Sequence, residues 1–175
     1  MDTTWNNIIW NQFGAAIDML DNALQACPDT LWQARLYHEQ DQPEFGEFWY
    51  VAYHTLFWLD FYLSESAEEF APPAPFTLSE FDAGLLPERV YTRDELRSYL
   101  AYGRTKCHTR LNILTDALVP QQVRSNWHIE SVAELLLYNL RHVQEHAAQL
   151  SLFLGQRTGS APGWVGKARN KGAAE

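Results

Sequence analysis

The sequence predicts an all-α fold, a four-helix bundle, on three observations. Apolar residues recur at the 3.6-residue helical period over long segments. Polar or proline-rich stretches separate those segments. No alternation of strand-like and helix-like patterns is visible. The 175 residues suit one domain, and 46% of them are hydrophobic, ample for a packed core.

The first helix is expected from about Thr4 to Ala26, carried by Trp5, Ile8, Ile9, Phe13, Ala16, Ile17, Leu20 and Leu24. Pro28 fixes its end. Asp29 to Glu44 is polar, holds Pro43, and reads as a connection with one short helical turn. The second helix is expected over Glu44 to Ser64, apolar almost throughout. Aromatic residues also favour strands, but length and lack of alternation decide for helix. Apolar residues on every side imply burial on more than one side or a second interface, and a homodimer contact is the simplest outlet.

Glu65 to Tyr91, with Pro72, Pro73, Pro75 and Pro87, is then a long insert between helices 2 and 3, able to cover one end of the bundle. Thr92 and Glu95 form a capping-box pattern that opens the third helix, Arg93 to about Leu118. Val119 to Ile129 is a second connection. The fourth helix should open at Ile129 or Glu130 and run to about Leu154, with Gly155 and Gly159 as terminators. Residues 1–157 thus form the bundle domain, and 158–175 a Gly/Ala-rich, partly mobile tail.

Charge and composition exclude several classes. The net charge of -9 disfavours nucleic-acid binding and gives no attraction to anionic lipid. No apolar run reaches the roughly 18 residues of a membrane span. The start Met-Asp-Thr-Thr lacks a signal-peptide pattern. Cys27 and Cys107 form no metal or redox motif, so a reducing cytoplasm is the expected compartment.

The chemistry-bearing residues are histidines. His142 and His146 stand four apart, on one face of the fourth helix. They read either as metal ligands or as a half-buried pair bonded to Glu145 or water. His54 lies in the aromatic run of the second helix, among Tyr50, Val51, Phe57 and Trp58. Burying it without a partner would be costly. It either bonds a tyrosine or a carbonyl in the core, or reaches across to His142 and His146. Three imidazoles would leave coordination positions open, as catalytic metal sites do. Tyr138, Asn139, Glu145 and Gln149 are candidates to hydrogen-bond and orient the rings. The segment His-Val-Gln-Glu-His is not the His-Glu-x-x-His of zinc proteases, so peptidase chemistry is not indicated.

From Trp5 to Leu154 this layout resembles the DinB/YfiT superfamily of metalloenzymes. The marks are a long first helix, His54 in Tyr-His-Thr-Leu-Phe-Trp, and the His-x3-His-x2-Gln-Leu segment of His142, His146, Gln149 and Leu150. The small glycine usual two residues after the last ligand is Ala148 here. The resemblance implies an up-down-down-up bundle, often dimeric, with nickel, zinc or another divalent metal on the three histidines. It also implies relatives that are thiol-dependent transferases and isomerases, placing a low-molecular-weight thiol on the metal. The function expected first is thus a metal-dependent transferase of a thiol to a small-molecule electrophile. A metal-dependent hydrolase comes next, and a non-catalytic stress-related or metal-binding helical protein is the rival from another class.

Other residues carry less. His38, His108 and His128 read as ordinary polar residues, and Arg104 and Lys106 as solvated charges or an anchor for an acidic substrate. Glu65, Glu68 and Glu69 form a solvated acidic end to the second helix. Trp32, Trp127 and Trp164 are placed to line a pocket mouth or to anchor core or interface.

Overall fold

The structure, a computed structural model, describes residues 3–37, 43–115, 117–121 and 131–170. Among these there are four α-helices and no β-strand: α1 (Thr3–Ala26), α2 (Phe48–Tyr62), α3 (Arg93–Asn112) and α4 (Val132–Thr158). None is long and apolar enough to cross a membrane. Helix α1 packs on α3 and α4, and α2 packs on the same two, which makes a bundle.

Specific pairs register the helices. Between α1 and the α3 end of the bundle, Asn6 donates to the Leu114 carbonyl, Asp18 pairs with Arg104, and Asp21 with Arg97. Between α2 and α4, Phe48 meets Phe153, Asn139 donates to the Leu59 carbonyl, and Tyr62 meets Tyr138. From α2 to α3, Asp60 holds Tyr99 and Lys106, and the Glu65 carboxylate beyond α2 pairs with Arg110.

The helix bounds depart from the sequence reading in three places. Helix α2 starts at Phe48, not Glu44, because residues 32–36 claim the backbone before it. The Leu36 amide donates to the Gly46 carbonyl, and the Phe48 and Trp49 amides to the carbonyls of Ala34 and Trp32. Gly46 is required there: a Cβ would lie 2.5 Å from the Tyr37 carbonyl oxygen. Helix α3 stops at Asn112 rather than Leu118. Leu114 turns inward to 4% exposure, and the Thr115 carbonyl is taken by the Leu118 and Val119 amides in a tight turn. Helix α4 runs on to Thr158, where Gly159 at φ +78° closes it in the left-handed conformation. Gly155 lies inside that helix. The expected opening at Ile129 or Glu130 lies outside the described residues.

The capping box that opens α3 is complete. The Thr92 hydroxyl accepts from the Glu95 amide, and the Glu95 carboxylate accepts from the Thr92 amide. The aromatic excess of α2 is satisfied inside the chain. Residues 63–92 lie along its flank, where Phe70 and Phe81 pack on Phe57 and Phe61, and Phe76 and Tyr91 on Tyr53. That outlet differs from the expected cover over one bundle end, and it removes aromatic surplus as an argument for a dimer.

The segment after α4 docks on α1. The Ala168 amide donates to the Asn11 carbonyl and the Arg169 amide to Asp18 Oδ2, at 2.8 and 2.7 Å. Arg104, from α3, clamps Asp18 and the Arg169 carbonyl together. Gly14 makes room, since a Cβ there would meet the Ala168 methyl at 2.5 Å.

Candidate metal centre

Packing of α2 against α4 brings His54 to His142 and His146. Their ring centroids are 5.3, 5.1 and 4.6 Å apart, and one nitrogen from each lies within 4.8 Å of the others. All three are half-buried, and together they could hold a metal ion. His54 is carried by the one face of α2 that is not sealed: its side chain is 31% exposed, against 4% for the Glu80 carboxylate behind it.

Each ring has a different anchor. Glu80 Oε2 lies 2.7 Å from His54 Nδ1 and also accepts from Trp58 Nε1 at 2.9 Å, while Oε1 accepts from the Tyr50 hydroxyl. Burial alone would raise the Glu80 pKa, but hydrogen bonds from His54, Tyr50 and Trp58 hold it below the ordinary carboxylate value. Gln149 Oε1 lies 2.8 Å from His146 Nδ1. His142 Nδ1 is buried with no partner among the described residues, and so is Asn139 Oδ1 one turn earlier.

This arrangement fits a cation on physical grounds. With its Nδ1–H donated to Glu80, a neutral His54 turns a lone pair outward on Nε2. That nitrogen lies 3.3 Å from His142 Nε2. If His142 also presents a lone pair there, two lone pairs face each other. If it presents an N–H, its buried Nδ1 keeps a lone pair with no donor. A shared positive ion removes the first conflict. Tetrahedral ligands at about 2.05 Å from zinc stand about 3.3 Å apart, the spacing found between His54 and His142. Burial, reinforced by the neighbouring histidines, holds the His142 pKa down to about 3, and burial also lowers that of His146. Both rings are therefore neutral near pH 7 and keep lone pairs for a ligand role.

A cavity of about 340 Å³ opens beside His54 and His146. Ser79 and Glu80 line it, on a segment tied to α2 where the Tyr53 hydroxyl donates to the Thr77 carbonyl and lies 3.1 Å from Ser79 Oγ.

Of the other expected ring partners, Asn139 and Tyr138 make their contacts elsewhere, and Glu145 acts on His146 through its charge. Asn139 is fully buried and its amide donates to the Leu59 carbonyl. Tyr138 packs edge-on against Tyr62 at 5.3 Å, and Glu145 is exposed. Glu80 is the residue that sequence reasoning missed. Its only signal is a carboxylate set among Phe76, Leu78 and Phe81 in a connection without periodicity.

Of the remaining candidates, Arg104 and Lys106 are not solvated charges. Arg104 pairs with buried Asp18, and Lys106 with fully buried Asp60. His108 lies against Trp10 at 4.5 Å, away from the histidine cluster. Glu65 pairs with Arg110, whereas Glu68 and Glu69 are exposed. The Trp32 indole donates to the Tyr91 carbonyl, and Trp164 is 75% exposed. His38, His128 and Trp127 lie outside the described residues.

In comparisons with known proteins, no family model, no curated protein and no solved structure matches the chain.

Proposed function

We propose that this chain is a DinB/YfiT-like metal-dependent enzyme in which His54, His142 and His146 hold a divalent ion, nickel or zinc. The observation that carries the reading is the meeting of three half-buried imidazoles from two helices, two of which, His54 and His146, line a cavity. Three ring ligands leave positions free for water or substrate, the pattern of a catalytic rather than a structural site. A bound ion of this kind supplies Lewis-acid activation of a thiolate or a water. The chain's own residues do the holding. Glu80 keeps the Nδ1 proton of His54 and so turns Nε2 toward the site, and Gln149 does the same for His146. Phe45, Tyr50 and Trp58 line the cavity side.

Transfer of a low-molecular-weight thiol to a small electrophile is the reaction we assign. The mainly apolar cavity supports an organic substrate.

The finer architecture belongs to the same reading. We take the bundle as up-down-down-up, with a long insert between α2 and α3. The pairs Asn6–Leu114, Asp18–Arg104 and Asp21–Arg97 run in opposite senses along α1 and α3, which supports it. The α2–α4 pairs also run in opposite senses, while those from α2 to α3 run in the same sense. A homodimer rests on the resemblance alone, and light scattering tests it. The free, buried thiols of Cys27 and Cys107 fit a reducing cytoplasm.

The test is metal analysis of the purified protein beside His54→Ala. Near-stoichiometric nickel or zinc in the wild type and a trace in the variant is the expected result. Equal content in both refutes the triad. With the loaded protein, turnover of electrophiles that proceeds without any thiol would replace transfer by hydrolysis.

A further inference from the structure

We infer that the cavity beside the histidines seats the apolar body of an uncharged or cationic small molecule and rejects anionic ones. The inference rests on the proposed function in taking this cavity as the seat of the substrate. The volume of about 340 Å³ falls within the roughly 300–1,000 Å³ of small-molecule sites. Phe45, Tyr50, Val51 and Trp58 supply flat apolar walls.

The charges are one-sided. Two carboxylates, Glu80 and Asp82, line the cavity, and among the described residues no lysine or arginine does. Glu80 is buried and both its oxygens already accept hydrogen bonds, so it offers negative potential and no donor to a ligand. Asp82 is exposed at the mouth. Arg89, the next cation along the chain after Asp82, is spent on Glu95 through two hydrogen bonds.

An anion in this seat would therefore face the Glu80 and Asp82 carboxylates with no lysine or arginine among the described lining residues to balance it. An ammonium group gains from the same field and from the aromatic faces. Negative charge on the substrate is tolerable only at the histidine end, beside a divalent ion. The consequence for the proposed reaction is that thiols or electrophiles bearing carboxylate or phosphate groups along their length are poor substrates.

Benzylamine, benzyl alcohol and benzoate test this, since they share one ring and differ in charge. Each is titrated into the metal-free full chain by heteronuclear NMR, so that benzoate cannot ligate an ion. Benzylamine should bind about tenfold tighter than benzoate, with the alcohol between them. Asp82→Lys, a change at an exposed site, should narrow or invert that order. Ala83→Trp should fill the cavity and abolish binding of all three. Benzoate binding as tightly as benzylamine overturns the inference, as do unchanged binding in Ala83→Trp and the absence of any binding. Metal uptake by the same protein on reconstitution separates the two readings. A protein that takes up no metal but keeps the amine preference sinks only the metal centre. A protein that takes up metal, yet prefers benzoate when metal-free, sinks only this inference.

Discussion

Removing the Glu80 carboxylate should weaken metal binding without dismantling the bundle. In the structure that group accepts from three donors at once: His54 Nδ1 at 2.7 Å, Trp58 Nε1 at 2.9 Å and the Tyr50 hydroxyl. Glu80→Gln keeps one acceptor oxygen, which can still serve His54 and Trp58, while its amide can donate to the Tyr50 oxygen. The ring stays aimed, but the negative charge that makes His54 a better ligand is gone. Loss of a partner behind a ligating histidine costs about 10- to 100-fold in affinity, so the glutamine variant should sit near the lower figure. Glu80→Ala removes the aim as well and should reach the upper one, about 2.7 kcal/mol. The alanine variant also leaves the Trp58 and Tyr50 donors bare, at about 1–3 kcal/mol of stability for each that stays unsatisfied. Competition against a chelator of known affinity measures the first effect, and chemical unfolding of the metal-free protein the second. If Glu80→Ala unfolds at lower denaturant yet binds metal as tightly as the wild type, the carboxylate is structural only and the argument for its role in aiming His54 is wrong.

Three further predictions follow from other parts of the molecule. His142 titrates at about 3 and His146 below its usual range, both through burial first, so both take up protons on unfolding. For His142 the unfolded state then holds more protons between about pH 3 and 6.5, and metal-free stability falls as pH drops through that window, by up to about 1.4 kcal/mol per pH unit, with His146 adding to the loss below about pH 6.5. Denaturant midpoints that do not move between pH 7.5 and 5 would contradict this. Lys106→Met should cost about 3 kcal/mol at pH 7.5, because it strands fully buried Asp60. Burial already raises the Asp60 pKa against the pull of Lys106, so the loss should grow with rising pH and shrink toward pH 5; a pH-independent loss rules out the charge explanation. Thr92→Ala breaks the capping box of α3 and should lower stability by about 1 kcal/mol, read from the same unfolding curves, and an unchanged midpoint would show the cap to be idle.

Much of the architecture was legible because burial leaves a periodic mark. The stripe Phe13, Ile17, Leu20 and Leu24 faces the core as a helical period demands, and so do Leu136, Val143, Ala147, Leu150 and Leu154. His142 and His146 were legible as a pair for the same reason, since four residues return a helix to one face. That His54 would meet them was inferable only from its awkward setting among aromatics. Glu80 was not legible. It reaches His54 across 26 positions of chain through a connection whose course is set by Phe70, Phe76 and Phe81 finding gaps along α2, and no spacing rule encodes that. The early turn out of α3 at Asn112 was hidden likewise, because the apolar pattern continues through Leu114 and Leu118 after the backbone has left the helix.

The docked C-terminal segment ties together parts made far apart in synthesis. Most of its seat is on α1, but the Arg169 carbonyl is held by Arg104 of α3, so the full set of contacts is complete only on an assembled bundle. A truncation before residue 163 would leave a furrow over Gly14 and a half-used guanidinium, whereas a fusion placed after residue 170 would leave every one of these contacts in place. Expression designs that trim the end for convenience would thus remove the clasp, and a reporter appended behind it would not.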